Sequence, residues 1–473
     1  MNPGIFFWLG LVTSSLLCGC SSLSDKQQSE RRTAGAPAIE AAEIVSESKA
    51  VLVVAETNRA AMAEVLTAGG TVTHDLPILN AVGAKLKPET IKELIQTPEI
   101  VNIVVDSDTS EGEWSERTSS ASAVNWLTQE QGSAPQNAWV DSLVNRATHG
   151  LTGRGIGIAI IDTGIAKAGN KLGWNPNIIA RYDAIADTES GDVVDVTGHG
   201  SHLSSLVTGV GEHMKGIAPD APLIVVKAFD SRSNANFLDV IRAVQWVIAN
   251  KEHMGIRVVN LSVSASTELP YHIDPLNRAL TEAWDSGLVV VVSAGNQGPA
   301  PSTVTAPGNN PWLISVGAAN FDSIREIVEV APFSGRGPTA SGHIKPNIIA
   351  PGARLAGLLP QKAMRPSHEP VELTETGLWI TSGASQASVV VAGMVALLLE
   401  ARPELSNDDI KCLIANSATP VIGKGQAAFS PMAQGRGLIN LSDALLSTAI
   451  DCPERLDKLS PSVAIEGAYL PGR

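Results

Sequence analysis

Residues 156–164 read Ile-Gly-Ile-Ala-Ile-Ile-Asp-Thr-Gly. The run is apolar at odd and even positions alike. A strand made of it must be buried on both faces, the pattern of a parallel strand covered by helices above and below. It stops at a carboxylate followed by Thr-Gly. Four more runs share this character: Leu223–Val226, Ile256–Leu261, Leu288–Val292 and Trp312–Val316. Helical segments separate them. Phe237, Val240, Ile241, Val244 and Val247 recur at helical spacing on one face. Asp274-Pro275 is an N-cap with Pro at the first helical position, and opens a helix that stops at Gly287. The alternation predicts a doubly wound, mostly parallel α/β sheet over residues 136–450.

The rest of the 473 residues bounds the function. Acidic residues outnumber basic ones 48 to 34, a net charge of −14, and no basic patch stands out. Nucleic acid is therefore not an expected partner, since phosphate neutralisation needs clustered Lys and Arg. A hydrophobic fraction of 44% excludes wholesale disorder. No Cys/His spacing suits zinc.

Ahead of the large domain the chain changes character several times. Residues 4–17, Gly-Ile-Phe-Phe-Trp-Leu-Gly-Leu-Val-Thr-Ser-Ser-Leu-Leu, suit the apolar core of a signal peptide over residues 1–19 and are short for a membrane span. Leu17-Cys18-Gly19-Cys20 resembles a bacterial lipobox, which implies Cys20 as a lipid-modified N-terminus and Ser21 as a signal for the outer membrane. Residues 20–47 read as a polar tether. Residues 48–107 alternate again, with strands expected at Ala50–Ala55, from Leu79 to Leu86 and at Ile100–Val105. Helices are expected over 57–68 and from Lys87 through Gln96. The order β-α-β-β-α-β predicts a small α+β, ferredoxin-like domain. A Ser/Glu/Gln-rich linker, 108–135, follows, and residues 451–473 form a tail. Outside the signal the cysteines are Cys412 and Cys452. In an exported, oxidising compartment they are candidates for a disulfide closing about 40 residues, worth about 4 kcal/mol by chain entropy.

Three segments carry candidate chemistry. Asp162 ends the first apolar run, where open α/β sheets bind ligands, although a strand-end Asp is also a common turn former. His199 lies in Asp195-Val196-Thr197-Gly198-His199-Gly200-Ser201-His202, between two glycines that let backbone approach closely. Ser385, in Ser382-Gly383-Ala384-Ser385-Gln386-Ala387, opens a run from Val389 to Leu399 that is apolar nearly all round, and alone reads equally as an N-cap. Together they offer an orienting carboxylate, a base and a nucleophile. Ser293-Ala294-Gly295-Asn296 adds a side-chain amide directly after a buried run. With the backbone N–H of Ser385 it would supply two donors for an oxyanion.

In this Asp…His…Asn…Ser order the segments resemble the subtilisin-like serine proteases. The likeness runs from about Gly150 to Leu446. It includes Phe333-Ser334-Gly335-Arg336-Gly337-Pro338, Lys345-Pro346-Asn347, Ala350-Pro351-Gly352 and Gly435-Arg436-Gly437-Leu438-Ile439-Asn440. It implies a subtilisin-like fold with Ser385 as nucleophile, His199 as general base and acid, Asp162 as its orienter and Asn296 in the oxyanion hole. It also implies Leu261, Ser262, Val263 and Ser264 against Ser293, Ala294 and Gly295 as the walls of the primary specificity pocket. Polypeptides would be the substrates. Residues 48–107 resemble the family's inhibitory propeptide, so the enzyme would be made as a precursor and cut within the linker. No cofactor is required. Asp183, Asp187, Glu189, Asp192 and Asp195 suit calcium, which many relatives bind, and equally a solvated acidic loop.

The departures are local. Ser201 replaces the usual Thr. Ala384 and Gln386 flank Ser385 in place of Thr and Met. Ser388-Val389 replaces Ala-Pro, and Ser264 a pocket Gly that should leave the groove narrower. Two other protease or hydrolase readings fail. Asp162-Thr163-Gly164 and Asp285-Ser286-Gly287 match an aspartic-protease signature that belongs to β-rich folds. An α/β-hydrolase needs a His after its Ser, and the last His here is His368.

Overall fold

The computed structural model describes residues 47–105, 114–115, 134–144, 150–166, 174–189, 193–210, 214–265, 269–322, 327–360, 363, 372–423 and 428–448. All of them belong to one compact unit, Glu47–Arg473. The signal, the tether, Cys20 and Cys452 lie outside these residues.

The chain begins with a four-stranded antiparallel sheet backed by two helices. Its elements are β1 (Lys49–Ala55), α1 (Asn58–Thr67), β2 (Thr71–Leu76), β3 (Ala81–Leu86), α2 (Pro88–Leu94) and β4 (Ile100–Val105), in the spatial order β2-β3-β1-β4. Thr57 caps α1, its side chain accepting from the Ala60 N–H. The extended stretch expected from Leu79 starts instead at Ala81, because Pro77–Leu79 form one turn of 3₁₀ helix that closes through Asn80 in a left-handed conformation. β2, polar in sequence, was not singled out by pattern.

The large domain continues with β5 (Trp114–Ser115), α3 (Asn137–Val144), β6 (Gly157–Asp162), β7 (Ile178–Asp183), α4 (His199–Thr208), β8 (Leu223–Lys227), β9 (Asn234–Ala235), α5 (Phe237–Met254), β10 (Ile256–Leu261), α6 (Pro275–Asp285) and β11 (Val289–Ser293). It ends with β12 (Ile314–Asp322), β13 (Ile327–Val330), β14 (Ile348–Pro351), β15 (Leu355–Gly357), β16 (Glu372–Leu373), β17 (Trp379–Thr381), α7 (Ala384–Ala401), α8 (Asn407–Ser417), α9 (Pro431–Gln434) and α10 (Leu441–Leu446). Among the described residues eight strands form the central sheet. Its order is β13-β12-β11-β10-β6-β8-β7, with β14 beside β12. All pairs are parallel except β12 with β13.

Every residue of β6 and of β11 is buried, as runs without alternation require. Asp274 caps α6 by accepting from the Asn277 N–H, and Pro275 is the first helical residue. The Trp312–Val316 expectation is shifted: Trp312 is 52% exposed, and the strand runs on from Ile314 to pair with β13. β7 escaped the sequence reading because its edge position leaves it half-buried, with Arg181 and Asp183 inside it.

α5 and α6 pack on one face of the sheet, while α4 and α7 pack on the other. The N-terminal sheet lies on α5 and α6. Its Val51, Val53 and Ala55 face its own helices, whereas Leu52, Val54, Leu76, Leu79 and Ala81 join the core of the large domain. A hydrogen-bonded seam runs along this contact. His74 Nε2 donates to Asp239 Oδ1 at 2.9 Å, and Gln245 Nε2 donates to the Asp75 carbonyl at 2.9 Å. Helix α7 is long and apolar enough to cross a membrane, yet its residues from Ala384 to Leu399 are buried, which makes it the core helix of the domain.

Candidate active site

The chain passes β6 and β8 on one side of the sheet and then crosses to β10, β11 and β12 on the other. The strand order therefore reverses between β6 and β10, where the carboxyl ends of the strands splay into a crevice. Asp162 is the last residue of β6. Ile161 is paired with Leu261, so Ser262 leaves β10 at the level at which Asp162 leaves β6. Leu261 in turn pairs with Val292, and Ser293–Asn296 leave β11 beside them. Neighbouring strands lie about 4.8 Å apart, which brings these three ends into one site.

Asp162 is 1% exposed. Its two oxygens lie 2.9 and 3.0 Å from His199 Nδ1. A carboxylate only accepts, so Nδ1 carries the proton and Nε2 is the basic nitrogen. Asp162 Oδ1 also accepts from the Thr163 N–H at 2.8 Å. His199 is the first residue of α4, and both flanking glycines are needed. Gly198 has φ +101°, and a Cβ on Gly200 would strike the Gly164 carbonyl and lie 3.0 Å from Asp162 Oδ1.

Asp195 holds this turn in shape. It is buried, and accepts from the N–H groups of Thr197, Gly198 and Ser201 and from the hydroxyls of Thr163 and Ser201. A carboxylate that gathers the free N–H groups of a helix start also complements the helix dipole. His202, one turn behind, is a packing residue: its Nε2 lies 3.1 and 3.2 Å from the carbonyls of Leu355 and Trp379.

Ser385 is the second residue of α7, with Gly383 in the cap position, so it is not itself the N-cap. Its Oγ donates to the Ser262 carbonyl at 3.2 Å. The nucleophile candidate is thus tied to the strand next to the one ending in Asp162. The Asn296 Oδ1 accepts from the Ala384 N–H at 2.8 Å, which turns its amide nitrogen toward the start of α7, 3.4 Å from where a Cβ on Gly383 would sit. The Asn296 N–H donates to Gln297 Oε1 at 2.8 Å. The Asn296 side-chain amide and the N–H groups at the start of α7 therefore share one corner.

The two expected pocket walls are adjacent. Ser293 Oγ donates to the Val263 carbonyl at 3.1 Å. Thr305, which the sequence did not single out, joins them. Its N–H donates to the Ala294 carbonyl at 3.3 Å, and its Oγ1 lies 2.8 Å from Ser264 Oγ. Gly295 has φ +90°, and a Cβ there would lie 2.5 Å from Thr305 Oγ1. Gln297 and Thr305 were missed because isolated polar residues beside a strand carry no periodic signal.

The described carboxylates of the acidic stretch before His199 are each engaged in hydrogen bonds of their own. Asp183 accepts from the N–H groups of Ile185 and Ala186, Asp187 accepts from the Tyr182 hydroxyl, and Glu189 accepts from Trp246 Nε1. Burial and the Asp187 hydrogen bond push the Tyr182 phenol well above its ordinary value. Trp246 stacks on Tyr182 and is only half-buried. Asp192 lies outside the described residues. Among the described residues no three His, Cys, Asp or Glu side chains are grouped to hold a metal ion. Cys412 is disulfide-bonded, and Cys452, its candidate partner from the sequence, lies outside the described residues.

Comparison with known proteins adds four findings. The profile of the Subtilase family (peptidase S8) matches residues 153–437. The serine protease AprX of Bacillus subtilis is 33% identical over 279 residues, which cover 56% of this chain and 62% of AprX. Subtilisin E of Bacillus subtilis is 27% identical over 383 residues, 80% of this chain and 83% of that protein. Among solved structures, fervidolysin from Fervidobacterium pennivorans, a keratinolytic enzyme related to subtilisin, superposes with a TM-score of 0.64 at 21% identity. The match covers 85% of this chain and 61% of fervidolysin, and shows the shared fold. The chain thus spans about three fifths of the length of AprX and of fervidolysin.

Proposed function

The chain belongs to the subtilase family of serine peptidases, and on that footing we propose that it is an exported endopeptidase, made as a precursor that cuts itself. The observation that carries the reading is the grip of Asp162 on His199 Nδ1, one strand away from the carbonyl that holds Ser385 Oγ. With Nδ1 protonated, Nε2 is the base. Ser385 Oγ turns from Ser262 to attack the scissile carbonyl and gives its proton to Nε2. Asp162 stabilises the imidazolium that results, and His199 then delivers the proton to the leaving amine. The developing oxyanion is met by the Asn296 amide and the Ser385 N–H. Water repeats the sequence on the acyl-enzyme. The segments Leu261–Ser264 and Ser293–Gly295 take the side chain before the cut. No step calls on a metal.

Residues 48–107 are read as an inhibitory propeptide. Three features support this: the order β2-β3-β1-β4, the apolar face laid on α5 and α6, and the pairing of β5 with β9. β5 runs antiparallel to β9 just past the small domain, the way a bound peptide adds a strand to an open edge. Self-cleavage is placed within 108–135. The lipobox-like Leu17–Cys20 supports a lipid-anchored precursor in the cell envelope, in the outer membrane by Ser21, and release of the enzyme from that anchor on processing.

Intact mass and N-terminal sequencing of the wild type beside Ser385→Ala test this together. The wild type is expected to begin within 108–135 and the variant to stay long. Activity should fall on the order of 10⁶, the size this deletion has in subtilisin itself. Equal, full-length masses would overturn self-processing, and an unaltered peptidase rate would remove Ser385 from the mechanism. A mature enzyme still carrying residues near Ser21 would overturn release from the anchor.

A further inference from the structure

Beneath the nucleophile lies a set of buried neutral groups that the mechanism does not use. Asn260, Ser262 and Ser388 are 0%, 2% and 0% exposed. Asn260 Nδ2 donates to Ser388 Oγ at 3.2 Å. Ser388 Oγ and Ser262 Oγ are 2.8 Å apart. Ser262 Oγ donates to Asn260 Oδ1 at 2.9 Å. The proton count decides how these contacts run. Each hydroxyl has one proton and each oxygen can accept, so Asn260 to Ser388 to Ser262 and back to Asn260 is a closed circuit. It uses both hydroxyl protons, and the Ser388 proton has two acceptors in reach, Ser262 Oγ at 2.8 Å and the Ser385 carbonyl at 2.9 Å, which share it as a three-centre bond. Such rings in a low-dielectric interior strengthen each member. Through that shared proton Ser388 Oγ also donates to the Ser385 carbonyl at 2.9 Å. The circuit therefore sits directly against the backbone of the nucleophile.

Its position gives it a role. Asn260 is inside β10, and Ser262 supplies both the Oγ of the circuit and the carbonyl that accepts from Ser385 Oγ. Ser388 is one turn along α7, on the face toward β10. The circuit thus clamps the first turn of α7 to the end of β10.

We infer that Ser388 is a positioning residue: its hydroxyl closes a ring with Asn260 and Ser262 that holds Ser385 at the reaction distance. This rests on the protease reading above. A misplacement of about 1 Å in a reacting group costs about a hundredfold in rate, so a fraction of that shift is measurable.

The test uses the full-length chain allowed to mature, with active sites counted by fluorophosphonate labelling so that unfolded protein does not contribute. Ser388→Ala, Ser262→Ala, the double variant and Ser388→Thr are compared on a chromogenic peptide amide. Ser388→Ala is expected to lower kcat per labelled site about tenfold with KM within about twofold. Ser262→Ala should match it, the double variant should fall no further, and Ser388→Thr should recover most of the rate. If Ser388→Ala lowers the melting temperature but leaves kcat per site unchanged, the hydroxyl is only structural and the inference is overturned. Losses that multiply in the double variant would mean two separate contacts and no ring. A wild type that neither hydrolyses peptides nor takes the label overturns the protease reading as well. An active wild type with an indifferent Ser388→Ala overturns the inference alone.

Discussion

The imidazole half and the hydroxyl half of the site are braced by opposite chemistry. Around His199 the anchors are carboxylates: Asp162 on the ring and Asp195 on the turn that starts α4. Around Ser385 the named anchors are neutral amides and hydroxyls: Asn260, Ser262, Ser388 and Asn296. The difference fits the charge of the proposed reaction. In that reaction an imidazolium forms on one side, where buried negative charge is favourable. An oxyanion forms on the other, where a carboxylate would oppose it and neutral donors favour it. Both halves start a helix, so backbone N–H groups are available to each. Only the His half spends them on a fixed carboxylate.

Replacing the strongest brace should break the contrast most severely. Asp195→Ala removes the acceptor of six hydrogen bonds at the buried start of α4, and of their donors the Thr163 hydroxyl keeps Asp162 Oδ1 at 3.1 Å. At about 1–3 kcal/mol for each unsatisfied group, less what water recovers, a loss above about 4 kcal/mol is expected. Urea denaturation in the Ser385→Ala background, where self-digestion cannot interfere, measures it. A loss near 1 kcal/mol would mean the turn is held by packing.

On the neutral side, Asn296→Ala should lower kcat by about 10² to 10³ with little change in KM, the size of the equivalent deletion in subtilisin. Stability should barely change, and steady-state kinetics beside thermal melting separates the two. An unchanged kcat would show that the α7 N–H groups suffice.

Thr305→Gly sharpens the comparison at the specificity pocket. Removing the hydroxyl that meets Ser264 Oγ opens the space above Gly295. Preference for large over small side chains before the cut should rise about tenfold, read as a ratio of kcat/KM values.

The smallest effect is expected for a carboxylate in water. The Arg154 guanidinium, with Thr152, holds the Asp220 carboxyl below its ordinary value. A depressed folded-state value contributes stability above the ordinary carboxylate range, lost as pH falls through it. The Arg154 and Asp220 side chains are 76% and 44% exposed, so solvent screens the pair and Arg154→Gln should cost within about 0.5 kcal/mol at pH 7. Denaturation at pH 7 and pH 3 checks that the difference shrinks as the carboxyl takes up its proton.

Much of the architecture was legible before any coordinates. β6, β10 and β11 are apolar on both faces, and the Asp274-Pro275 start of α6 is a local signal. β7 and β2 were not, because an edge strand or a strand laid on a neighbouring domain need not look apolar. At the site, Asp162, His199, Asn296 and Ser385 each stand in a recognisable local context. Ser262 was noted as pocket wall, yet its side chain points into the ring beneath the nucleophile.

The sequence by itself determined where strands and helices form, which carboxylate, imidazole, amide and hydroxyl stand at their ends, and which glycines let them approach. Those are properties of near neighbours along the chain. Only the tertiary structure decided that Asp162 meets His199 across 37 residues and that Ser388 meets Asn260 across 128. It also decided that the N-terminal sheet lends its second face to α5 and α6. Side-chain hydrogen bonds between distant segments depend on strand register and helix placement. Those are set by how the whole apolar core packs, so no local pattern encodes them.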